Sequence, residues 1–186
     1  MKQNRENPFF ETYRTPFGTP PFDQIETEQY EPAFDEGIWQ LDEEVRAIAD
    51  NTELPTFENT IIALERSGKL LDKVISAFFN VLNAEADDEM MDISQRVSPK
   101  LSESSNNIYL NEQLFARVKS VYDRKDELHL PMEDARLLEK TFEAFCARGA
   151  ALGPEEKEKY RKLSSELSLL SLTFDQNALK DKNRYE

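Results

Sequence analysis

The chain has 186 residues, enough for one domain or two small ones, with roughly 70% of its unfolded surface buried on folding. A formal net charge of -14 excludes the counterion-displacing contacts that a nucleic acid or an anionic lipid surface demands. Hydrophobic residues at 39%, charged residues at 32% and only five glycines, with Leu, Glu, Lys, Ala and Gln plentiful, favour an ordered helical chain over sheet or disorder.

Residues 1–26 do not read as helix. Asn7-Pro8-Phe9-Phe10, Thr15-Pro16-Phe17-Gly18 and Thr19-Pro20-Pro21-Phe22 space prolines among aromatic rings, and proline removes backbone donors. An extended arm is expected, its rings plugged into the folded body or into another domain of the same protein. A first helix follows from Thr27 to about Asp50, with Phe34, Ile38, Leu41, Val45 and Ile48 on one face. Pro32 places its regular part from about Glu31, after a turn at Thr27–Tyr30, and Trp39 lies off the stripe.

Pro55-Thr56-Phe57-Glu58-Asn59-Thr60 reads as the entrance to the second helix. Proline holds Leu54 extended, the Thr56 hydroxyl can cap a free N–H, and Glu58 meets the positive end of the helix dipole. One long helix is expected, bent or continuous at Gly68 and reaching about Ala84, with Phe57, Ile61, Leu64, Leu71, Phe78 and Leu82 inward. A third helix opens at Asp87-Asp88-Glu89, and Pro99 should kink or split it. Asn111 caps a fourth helix ending near Lys125, and Pro131 opens a fifth with Leu138, Phe142 and Phe145 inward. Gly153-Pro154-Glu155-Glu156 starts the last helix, where Tyr160, Leu163, Leu167, Leu170 and Phe174 form a seam expected to pack along other helices. Its lysines 157, 159 and 162 read as a solvated face. The expected fold is all-α: an antiparallel bundle of about six helices over residues 27–186, preceded by the arm at 1–26.

Chemistry is sparse. His129 is the only histidine, so a His-Glu-x-x-His zinc site and a helical di-iron site both fail by counting. Glu127-Leu128-His129 has the wrong spacing for either, and no Gly-x-Ser-x-Gly elbow accompanies His129 for a serine relay. Cys146 is the only cysteine, which excludes an internal disulfide, and its apolar surroundings read as those of a buried inert thiol. No Gly-rich phosphate loop is present. No run approaches the ~18–20 apolar residues of a membrane span, and Met1–Glu6 lacks the apolar core of a signal peptide. A cytoplasmic protein is expected, or a periplasmic one where a leader has been removed before residue 1.

Six segments in order carry a resemblance: Pro55-Thr56-Phe57-Glu58-Asn59-Thr60, Leu64-Glu65-Arg66-Ser67-Gly68, Ser98-Pro99-Lys100-Leu101-Ser102, Ile108–Val118, Phe145-Cys146-Ala147-Arg148-Gly149-Ala150 and Leu172–Leu179. The arm, with Asn7-Pro8-Phe9 and Thr19-Pro20-Pro21-Phe22, agrees. Together they resemble the N-terminal part of the thimet oligopeptidase family of zinc peptidases, most of all its bacterial peptidyl-dipeptidase branch. The resemblance implies a clam-shaped helical enzyme with zinc at the floor of a channel, held by His-Glu-x-x-His and a downstream glutamate. The motif glutamate would activate the zinc-bound water, and dipeptides would leave the C-terminus of oligopeptides.

None of those catalytic residues has a counterpart in this sequence. The expectation is therefore an amino-terminal, non-catalytic portion of a longer protein, with no catalytic, metal or cofactor residue of its own. Zinc belongs to the missing part, and the partners are that catalytic part of the same protein and, in the full-length enzyme, an oligopeptide substrate. The alternative is a free-standing helical interaction domain whose grooves take partner helices.

Overall fold

The computed structural model describes residues 7–85 and 87–183. The readings of the first six residues and of the last three lie outside them. The described residues hold helices and turns and no strand: six long α-helices, with a short three-residue one, so the all-α expectation stands. They are α1 (Tyr30–Ala49), α2 (Ala63–Glu65), α3 (Lys69–Glu85), α4 (Asp88–Tyr109), α5 (Glu112–Tyr122), α6 (Met132–Ala147) and α7 (Pro154–Asn183). The chain divides into two compact units. One takes the chain up to Leu41, Gly68–Leu101 and the stretch from Glu166, and the other takes Asp42–Ser67 and Ser102–Ser165.

The first unit is built on aromatic side chains. Phe34 and Phe78 meet edge to face at 5.2 Å, Tyr30 packs on Phe78 at 5.1 Å, and Phe9 of the arm packs on Tyr30 at 5.3 Å. Val74, Ala77, Ile93 and Val97 complete this core. Helices α1 and α3 close tightly on each other because position 37 has no side chain: a Cβ on Gly37 would lie 3.0 Å from Leu71 Cα. Lys100 pairs with Asp35 at 2.6 Å and Arg96 with Glu31 at 3.0 Å, on the surface.

The arm is fastened to this unit at its first turn. Asn7 donates to the Gln29 carbonyl at 2.8 Å and accepts from the Phe9 N–H at 3.1 Å, while Phe9 is buried. Lys73 of α3 donates to the Phe9 and Glu11 carbonyls at 2.8 and 2.7 Å and lies 3.7 Å from the centre of the Tyr13 ring. The other rings behave differently: Phe22 is half exposed, and Phe17 stands fully in solvent with a left-handed φ of 61°.

The second unit is centred on Phe57, Ile61, Leu114, Val118, Val121, Leu138 and Phe145, all buried. Tyr122 stacks on Phe142 at 3.9 Å, and the Tyr109 and Phe145 rings meet tilted at 5.0 Å. Asn111 caps α5 by accepting from the Leu114 N–H at 2.9 Å. Pro131 precedes α6 without a side-chain cap, and its carbonyl accepts from the Ala135 N–H at 2.9 Å.

Several sequence expectations give way. The second helix is not continuous: a π-helix over Phe57–Ile62 passes into α2, which stops at Glu65. Gly68, at φ +76°, cannot belong to a right-handed helix; its carbonyl instead accepts from Asp72 N–H at 2.9 Å and begins α3. Conversely, α4 runs unbroken through Pro99, and just before it the Ser98 hydroxyl donates to the Ser94 carbonyl at 2.7 Å. Cys146 is exposed, not buried, because Phe145 takes the inward position beside it. Trp39, off the stripe, is also exposed.

The last helix departs most. Its seam faces solvent: Leu163, Leu167, Leu170 and Phe174 are 56%, 64%, 68% and 72% exposed. The inward positions are polar. Lys157 is buried and donates to Glu112 at 3.0 Å, Arg161 donates to Asn107 at 2.8 Å, and Ser164 accepts from Asn106 at 2.7 Å. Steps of four and three place these residues on one face, so charge-assisted hydrogen bonds to α4 and α5 set the rotation of α7 here, not leucine packing.

Candidate functional site

Titratable groups are the first place to seek chemistry. His129 is exposed, in a left-handed turn with φ 47°, and Cys146 is exposed on α6. Among the described residues no three His, Cys, Asp or Glu side chains converge to hold a metal. The described residues therefore do not assemble the three or four protein ligands that a zinc ion needs.

The densest polar constellation lies where the second unit's chain reverses into the Pro55 motif. Thr56 has extended backbone and its hydroxyl accepts from the Asn59 N–H at 3.0 Å, while Asn59 Oδ1 accepts from the Thr56 N–H at 2.8 Å. This reciprocal pair is a capping box with asparagine in the third position. Asn59 Oδ1 also accepts from the Thr60 hydroxyl at 2.9 Å, and its amide donates to the Leu54 carbonyl at 3.0 Å.

Arg117 of α5 organises the rest. It is 7% exposed, and its guanidinium donates to the carbonyls of Asn51 and Glu53, to Asn59 Oδ1 at 3.0 Å and to Thr60 Oγ1 at 3.3 Å. One flat fork thus reaches four acceptors on two sides of a loop, a geometry that a lysine ammonium cannot copy. Arg124, two turns on, donates to the Pro55 carbonyl. Only dipoles, not carboxylates, compensate Arg117, and its Nε–H makes no hydrogen bond among the described residues. Both terminal nitrogens of the Arg117 guanidinium are spent on the protein and the cluster offers no nucleophile, so it positions the loop and the π-helix.

The Thr56 cap was legible in the sequence, and Arg117 was not singled out there. Its signal was its place among Leu114, Val118 and Val121, a cation at an apolar-face position of an amphipathic helix.

In the first unit, the arm forms an open depression lined by Glu11, Tyr13, Arg14 and Gln24 among others. Burial pushes the Tyr13 phenol up to about 12, with Tyr30 adding to it, and its hydroxyl makes no hydrogen bond among the described residues. Burial holds Lys73 below its ordinary range, against the pull of Glu11. No helix among the described residues is long and apolar enough to cross a membrane.

No family model matches the chain. It is 43% identical over 173 residues to the dipeptidyl carboxypeptidase of Escherichia coli (strain K12), covering 93% of this chain and 25% of that protein. The dipeptidyl carboxypeptidase of Salmonella typhimurium is 39% identical over the same length, with the same coverage. A thimet-like oligopeptidase of Dictyostelium discoideum is 27% identical over 161 residues, 84% of this chain and 24% of that one. The chain thus spans about a quarter of the length of the curated relatives it matches. Over that quarter, the ordered motifs, the all-helical fold and these identities agree: the chain is similar to one portion of the dipeptidyl carboxypeptidases and, at lower identity, of a thimet-like oligopeptidase.

Proposed function

We propose that the parent protein is a zinc-dependent peptidyl-dipeptidase that releases dipeptides from the C-terminus of oligopeptides, and that this chain is its non-catalytic N-terminal helical portion. The observation that carries the reading is 43% identity to a dipeptidyl carboxypeptidase over nearly all of this chain but only 25% of the relative. The polar cluster at Arg117 fits a supporting role: it holds a loop and a helix start through four bonds to the protein itself. The zinc ligands and the catalytic glutamate then belong to the remaining part, whose partner is this portion. Walls of this kind would act by restricting access and orienting the substrate terminus.

The test pairs two proteins. The full-length gene product should release C-terminal dipeptides from free-acid peptides, spare C-terminally amidated ones, and lose activity to a chelator with recovery on adding zinc. The 186-residue chain, dialysed and measured by metal analysis, should hold no stoichiometric zinc and cleave nothing. Zinc bound one-to-one by the short chain, or a gene product without a His-Glu-x-x-His motif, would refute the reading.

A further inference from the structure

From the outward stripe of α7 we infer an intramolecular interface: Leu167, Leu170 and Phe174 are the apolar seam on which the rest of the parent peptidase packs. The inference rests on the proposed function for the existence of that remainder, and it adds where the remainder docks. The three side chains follow at spacings of three and four, so they share one helical face, and they are 64%, 68% and 72% exposed. Such a row is out of keeping with the rest of the chain, whose mean hydropathy is -0.68 and whose net charge is -14. An exposed apolar strip on an otherwise strongly polar protein marks a contact surface.

Two observations choose the occupant. First, the chain covers 25% of the dipeptidyl carboxypeptidases, which leaves about three quarters of such a protein to pack against it. A segment of the same polypeptide arrives at high effective concentration and needs few contacts to stay. Second, the strip is poorly made for another copy of itself. Each copy brings a charge of -14, and between residues 166 and 174 the sole charged residue is Glu166. Within that stretch two copies would bring no base to pair with Glu166, while the total charge repels. Ser171, which flanks the strip, is small and lets an apolar partner helix approach closely.

The experiment is thiol labelling in a Cys146→Ser background, with Leu167→Cys and Leu170→Cys as separate variants. Each is made in the 186-residue chain and in the full-length gene product, and the maleimide rate is referred to that in denaturant. In the short chain both thiols should label near the denatured rate. In the full-length protein they should label on the order of 100-fold more slowly, as buried groups reached only by local opening do. Equal rates in the two proteins overturn the inference. So does concentration-dependent protection in the short chain alone, with a dimer in light scattering, which would make a second copy the occupant. Peptidase activity of the full-length variants is measured separately. Fast labelling in an active enzyme defeats the interface alone, whereas protection in a protein without dipeptide release defeats the functional reading alone.

Discussion

Removing the Arg117 guanidinium tests what holds the second unit together. In Arg117→Ala four hydrogen bonds disappear, to Asn51, Glu53, Asn59 and Thr60. Bonds from a charged donor contribute about 1.5–3 kcal/mol each, but they do not add here. The Glu53 carbonyl belongs to an exposed residue and recovers water, and Asn59 Oδ1 keeps the Thr56 and Thr60 donors. The Thr60 hydroxyl, fully buried, recovers nothing, and the side chain leaves a cavity beside it. The net loss should be about 3–4 kcal/mol, a drop in melting temperature of about 6–15 °C for a chain of this size. Arg117→Lys keeps the charge but reaches only one side of the loop, so roughly half that loss is expected. Urea denaturation of the three proteins gives the magnitudes. Amide exchange locates them: protection of the Thr56 and Asn59 N–H groups should fall, while amides in α3 of the other unit keep theirs. An Arg117→Ala protein within about 0.5 kcal/mol of the parent would show that the four bonds are worth no more than surface contacts, and the reasoning fails.

Thr56→Ala removes the cap at the π-helix start and should cost about 1 kcal/mol, read as a shift in urea midpoint; no shift would mean that Asn59 alone holds that helix start. Tyr13 gives a pH test. Its pKa is raised from 10.0 to about 12 in the folded chain, so its contribution to stability is complete below pH 10 and is lost as pH rises through 12. The stability of the parent relative to Tyr13→Phe should therefore be flat to about pH 10 and then fall. Lys73, shifted the other way, is common to both proteins and cancels in the first approximation. Burial raises the Tyr30 phenol as well, so the check is the amplitude of the late phase in a tyrosine absorbance titration: an amplitude unchanged in Tyr13→Phe would contradict the assignment.

The helices with local signals were read well from sequence. Asn111, Thr56 and Gly153-Pro154 are stop or start chemistry written in adjacent residues, and the structure uses each of them. What the sequence concealed depended on tertiary choices. Gly68 was read as a mid-helix defect because periodicity continues across it, yet one left-handed residue divides two helices with compatible stripes. Pro99 was expected to kink or split its helix, and the structure excludes the split: α4 continues through it. On α7 two faces competed, one of leucines and one of lysine, arginine and serine, and the hydrophobic pattern pointed to the face that this portion leaves bare. Arg117 was hidden for the opposite reason: a charge among apolar neighbours looks like an irregularity until its four acceptors, some 57 to 66 residues away, are in place.

The Lys73 contact with the arm also orders events during synthesis. Phe9 leaves the ribosome first, but the amine that binds its carbonyl lies 64 residues later. At about 5–20 residues per second the arm waits roughly 3–13 s with its rings unprotected before that lysine is even made. Its prolines then serve the nascent chain as much as the finished one: a segment that cannot extend a β-ladder can expose aromatic rings for seconds without pairing to its neighbours on the polysome.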